Sequence, residues 1–132
     1  MLQKIHSKRG GFTLVEIMIV VAIIALLAAI AVPNFLRARK RSQATRVLDD
    51  LRVLDHALDQ YAIDNSKGPD SNPTIADLKA YIKADTNLYL TGQDMFGNDF
   101  GPFTVDNVPK VPAATFDTLS DVADSAFWSP YN

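Results

Sequence analysis

The chain has 132 residues, no cysteine, and 13 Lys and Arg against 15 Asp and Glu, for a formal net charge of −2. That balance excludes nucleic-acid binding by bulk charge, and the missing cysteines exclude disulfides and thiol chemistry. The length allows one small soluble domain beside one apolar segment, and not two domains.

Charge is unevenly spread. Arg37 to Arg52 carries six basic residues against Asp49 and Asp50, whereas Val53 to Asn132 carries twelve Asp against four Lys. The basic collar suits phospholipid head groups and equally suits a solvated helix surface.

Taken from the start, Lys4, Lys8 and Arg9 are basic and no acid precedes Glu16. From Ile17 to Leu36 there are twenty residues without a charge. As a helix they span roughly 30 Å, about the hydrocarbon thickness of a bilayer. Such a helix satisfies its own backbone hydrogen bonds in lipid. Glu16 stands at the N-terminal edge of this run, where a carboxylate is costly unless neutralised and is a functional candidate. A secretory signal peptide with Ala29-Ile30-Ala31 as its cleavage site is a rival reading. Glu16 and the length of the run speak against it.

The stretch Lys8-Arg9-Gly10-Gly11-Phe12-Thr13-Leu14-Val15-Glu16 resembles the signature of the type IV pilin family, which includes the pseudopilins of type II secretion. The resemblance implies a leader over residues 1–11, removed by a prepilin peptidase between Gly11 and Phe12. It implies N-methylation of the new Phe12 amine and matches Glu16 to the invariant acid of the family. Pro33 matches a proline near the end of the family's apolar segment. The likeness is specific from Lys8 to Leu36 and looser along the helix that follows.

The basic residues give a conflicting orientation signal. Lys4, Lys8 and Arg9 precede the run, while Arg37, Arg39, Lys40 and Arg41 follow it, which by count alone favours the opposite topology. The resemblance implies a cytoplasmic leader and an external C-terminus.

Pro33 removes one backbone donor and crowds the preceding turn, which predicts a helix kink near Ala29 to Asn34. Beyond it Ala44, Val47, Leu48, Leu51, Leu54, Leu58, Tyr61 and Ala62 recur at three- and four-residue steps, between the polar Arg52, Asp55 and Asp59. This is an amphipathic helix with one buried stripe, ending near Asn65 before Ser66-Lys67-Gly68-Pro69.

Thr74 followed by Asp77 predicts a capped short helix to Ala84, with Ile75, Leu78 and Ile82 inward. Leu88-Tyr89-Leu90, Phe103 to Val105 and Val108 to Val111 read as strands, with Pro109 and Pro112 marking an edge. Between them Asp94-Met95-Phe96-Gly97-Asn98-Asp99-Phe100-Gly101-Pro102 is rich in turn residues. It resembles a turn of the major pseudopilins, with Phe96 for Trp and Met95 for Pro. Phe127-Trp128-Ser129-Pro130-Tyr131 reads as a cap over the sheet.

An enzyme finds little support. His56 lies among Asp55 and Asp59 on the helix and reads as a solvated face. The chain has no phosphate loop, no nucleophile–base pair and no His/Cys metal spacing. Asp117, Asp121 and Asp124 offer oxygen ligands of the kind calcium takes. Major pseudopilins bind calcium in a C-terminal loop, but the Gly-rich form of that loop is absent here. A capped helix or solvated acidic loop fits the same residues.

These readings predict an α+β fold: a long N-terminal helix packed by its second half on a small antiparallel sheet. The segments are leader 1–11, transmembrane or filament-core helix 12–36, amphipathic half 37–65 and globular domain 66–132. The function implied is a non-catalytic subunit of a helical homo-oligomeric filament, foremost a pseudopilin of a periplasmic pseudopilus for protein export. Implied partners are a prepilin peptidase and an inner-membrane assembly platform, with single-pass anchoring in a bacterial inner membrane and a periplasmic C-terminal domain. No cofactor and no nucleic acid are expected. The alternatives are a pilin for motility, adhesion or DNA uptake, and a membrane-tethered periplasmic binding module.

Overall fold

The computed structural model describes residues 10–132; most of the expected leader, including Lys4, Lys8 and Arg9, lies outside them. The chain divides into two compact units after Leu36. Helix α1, Leu14–Asp64, contributes to both and contains Pro33 in its interior.

In the first unit α1 is apolar on every side. Its side chains from Leu14 to Leu36 are exposed, including Ile19, Ile24, Leu27 and Ile30. It is the one helix among the described residues long and apolar enough to cross a membrane. A helix apolar all round requires lipid or other helices about it.

In the second unit α1 turns one-sided. Ala44, Val47, Leu48, Leu51, Leu54, Ala57 and Leu58 are buried and Tyr61 is half-buried. All but Ala57 belong to the stripe predicted by periodicity. The helix ends at Asp64, one residue before the predicted boundary, and Ser66 follows at φ 50°.

The expected antiparallel sheet is not there. No strand occurs among the described residues; one isolated antiparallel bridge joins Gln93 and Asp99. Leu88-Tyr89-Leu90 lies instead in α3, Asn87–Thr91. Thr86 decides this at one end by accepting from the Tyr89 N–H at 3.2 Å. Gly92 decides it at the other, at φ 70°, with its N–H on Leu88 O at 2.9 Å. An N-cap and a left-handed C-cap outweigh the strand propensity of three residues. Phe103 to Val105 and Val108 to Val111 form no strand and do not pair with each other. Val105 N–H donates to Ser71 O at 2.9 Å, and Val111 N–H donates to Tyr131 O at 2.8 Å. Pro109 has no N–H for a ladder.

The other elements are short helices laid over the stripe of α1: α2 (Ile75–Leu78) continuing into a 3-10 turn (Lys79–Tyr81), α4 (Ala113–Leu119) and α5 (Ser125–Trp128). The Asp77 carboxylate accepts from the Thr74 N–H and hydroxyl at 2.8 and 2.7 Å, as the Thr74–Asp77 spacing predicts. Leu78, Ile82, Leu88, Phe100, Phe103, Val111, Leu119, Ala123, Trp128 and Tyr131 complete one core with α1. Trp128 is fully buried and its indole N–H donates to Ala123 O at 3.2 Å. The tail therefore does not cap a sheet. It closes the core of helices, and Tyr131 reaches Asp55 of α1 through its hydroxyl at 3.4 Å.

Candidate processing and assembly site

Gly10, Gly11 and Phe12 precede α1 without regular structure, and all three are exposed. Among the described residues, nothing lies within 4 Å of where a Cβ would stand on Gly10 or Gly11. Phe12 is 85% exposed. The Gly11–Phe12 bond is therefore uncovered by the described residues.

Thr13 and Glu16 start the helix together. The Glu16 N–H donates to Thr13 Oγ1 at 3.2 Å, and the Thr13 N–H donates to Glu16 Oε2 at 3.3 Å. This is a reciprocal capping box that satisfies two of the donors a helix start leaves over. The Thr-x-x-Glu spacing was visible in the sequence but was read there only as part of a family signature. Its consequence is chemical. The Glu16 carboxylate is held one residue from the position of the Phe12 amine that cleavage would create.

A second constellation holds the turn that follows α3. Asp94, 2% exposed, accepts through Oδ1 from the N–H groups of Phe96 and Asn98 at 2.8 and 3.0 Å. Its Oδ2 accepts from the Thr115 hydroxyl on α4. Asn98 Nδ2 donates to the same Thr115 oxygen at 2.8 Å. The turn was legible from Asp94 to Asn98; its anchor on Thr115 is long-range and left no local signal. Asp50 of α1 stands in the field of Asp94, and desolvation chiefly, with Asp49 and Asp94 adding, holds its carboxyl above the ordinary value against the pull of Arg46.

The acids that offered a calcium-type ligand set are employed separately. Asp117 is an exposed residue of α4. Asp121 pairs with Lys40 Nζ at 2.9 Å, and that hydrogen bond foremost holds its carboxyl below the ordinary value. Asp124 caps α5 by accepting from the Phe127 N–H at 2.9 Å. Among the described residues, no three His, Cys, Asp or Glu side chains converge as a metal site. His56 is exposed, as read from the sequence.

Residues 6–32 match the family model described as the prokaryotic N-terminal methylation motif. The chain is 33% identical over 103 residues to the type II secretion system core protein G of Escherichia coli strain K12, covering 71% of each chain. It is 36% identical over 104 residues to the protein of the same description from Vibrio cholerae, covering 70% of this chain and 69% of that one. Type IV major fimbrial protein FimA of Dichelobacter nodosus is 44% identical over 64 residues, covering 48% of this chain and 41% of that one. No solved structure matches the chain.

Proposed function

The chain belongs to the family of type II secretion system core protein G, and from that premise we propose that it is a non-catalytic building block of a periplasmic pseudopilus serving protein export. One observation carries the reading: an exposed, uncharged stretch of α1 from Ile17 to Leu36 follows the exposed Gly11 and Phe12 and the Thr13/Glu16 cap.

In this account a prepilin peptidase cuts after Gly11 and the Phe12 amine is methylated. The apolar half of α1 anchors the subunit in the inner membrane with residues 37–132 in the periplasm. Assembly on an inner-membrane platform moves α1 from lipid into a bundle of like helices. Pro33 marks where α1 bends or unwinds as it leaves the bilayer, since the ring supplies no donor to the preceding turn. Glu16 sets the register: an unpaired carboxylate among apolar helices is expensive, and the Phe12 amine of a neighbouring subunit offsets much of that cost.

Intact-mass analysis of the native protein tests the processing step. The expected mass begins at methylated Phe12. A start at Val32 would identify a secretory signal peptide instead.

A pilin for motility, adhesion or DNA uptake is the second reading, favoured by the 44% identity to the fimbrial protein. That match spans 64 residues, whereas those to the Escherichia coli and Vibrio cholerae secretion proteins span 103 and 104. A tethered binding module that never polymerises would give no filaments.

A further inference from the structure

The second unit carries a cationic cleft that nothing in the assembly account uses. Arg37, Lys40 and Arg41 lie three and four positions apart on α1, in line with the buried Ala44, Val47 and Leu48. That spacing puts them on the face that meets the C-terminal segment. One of the three cations meets a carboxylate there. Lys40 takes Asp121 at 2.9 Å. Arg41 donates one Nη to Val122 O at 3.3 Å, and its guanidinium lies 5.5 Å from the centre of the Phe127 ring. Its other donors are unspent, and Arg37 makes no hydrogen bond among the described residues. Arg37, Ala38, Arg41, Asp121 and Val122 line a cleft of about 270 Å³.

We infer that this cleft takes the phosphate of an anionic phospholipid head group, held by Arg37 and Arg41 and flanked by Lys40. The inference rests on the reading that α1 sits in a bilayer. Two guanidinium groups with free donors suit a phosphate oxygen pair, which a lone ammonium does not grip in a fixed orientation. Lys40 pairs with Asp121 and offsets part of its repulsion of the anion. The lipid is favoured over other anions by sequence position: Arg37 directly follows Leu36, the last residue of the uncharged run. Arg41 is four residues further along the same helix, about 6 Å of rise. A membrane-anchored subunit thereby meets head-group phosphates at high effective concentration. Arg39 is equally near the run but lies outside the cleft lining.

The test uses the full chain in a nonionic detergent micelle, with the arginine Nε–H resonances as readout. Short-chain phosphatidylglycerol is expected to move the Arg37 and Arg41 peaks saturably, with at least tenfold tighter apparent affinity than phosphatidylcholine. Arg37→Gln, read on the Arg41 peak, and Arg41→Gln, read on the Arg37 peak, each lose that preference, and Arg39→Gln keeps it. Equal response to the two lipids overturns the inference, as does equal loss in Arg39→Gln, which would mean diffuse charge. Equal response to inorganic phosphate without lipid overturns the lipid assignment. Peaks that follow protein concentration instead would assign the cleft to a second copy. Flotation with phosphatidylcholine vesicles tests the premise separately. A chain that does not float overturns the inference through the membrane reading, and one that floats without a phosphatidylglycerol preference overturns the cleft alone.

Discussion

Lys40 and Asp121, 81 residues apart in sequence, meet at 2.9 Å and tie the loop between α4 and α5 to α1. Where the sequence offers oxygen ligands of the kind calcium takes, this pair places an ammonium against one of them. Chelator is therefore expected to leave the melting temperature unchanged, because a ligand stabilises only if the folded state binds it. Thermal scans with and without chelator check this; a drop of several degrees would show that Asp117, Asp121 and Asp124 gather round a cation.

The same pair gives a pH signature opposite to that of Asp50. The Asp121 carboxyl is lowered from its ordinary 3.8 by the Lys40 hydrogen bond, so its stabilisation is full above that value and fades as pH falls through the lowered one. The Asp50 carboxyl is raised from 3.8, mainly by desolvation, so its charge costs stability at neutral pH. That cost is relieved as pH falls through the raised value towards 3.8. Asp50→Asn is expected to raise the melting temperature at pH 7 and Asp121→Asn to lower it, with both differences vanishing well below pH 3.8. Equal effects of either substitution at pH 7 and in acid would refute the assignment.

Asp94→Ala strands two backbone donors and the Thr115 hydroxyl in a buried turn. A buried donor without a partner costs about 1–3 kcal/mol, and three neighbours share the loss less than additively. Asp94→Asn keeps an acceptor for the two N–H groups and is expected to cost clearly less. Denaturant unfolding checks the order; equal losses would mean that the turn is held by something else.

Trp128→Ala removes the largest fully buried side chain. The expected loss is about 3–5 kcal/mol. A loss below 1 kcal/mol in urea unfolding would mean that the tail is not part of the core.

Much of this fold was legible where the cause was local. The stripe from Ala44 to Leu58 follows from helical spacing, and the Thr74–Asp77 start follows from cap chemistry. The sheet was misread because Leu88 to Leu90 and Phe103 to Val105 have strand composition. Their fate was set by neighbours: Thr86 and Gly92 for the first, Ser71 for the second. The Thr13–Glu16 box was written in the sequence within four residues. The Asp94–Thr115 and Lys40–Asp121 ties depend on the finished fold and no periodicity reports them.

The box also sharpens the role of Glu16. In the structure its carboxylate caps α1; in the proposed filament it pairs with the Phe12 amine of a neighbour. Glu16→Ala removes both functions, while Glu16→Gln keeps an acceptor for the Thr13 N–H and loses only the charge. If charge pairing sets the register, both variants insert and are cleaved normally, and both assemble poorly beside wild-type subunits.

Electron microscopy of filaments tests the central claim most directly, with the chain co-expressed with a prepilin peptidase and an assembly platform. The account predicts helical filaments from the wild-type chain and a severe loss of yield from Glu16→Gln as well as Glu16→Ala. No wild-type filaments, or Glu16→Gln filaments at wild-type yield and symmetry, would contradict it.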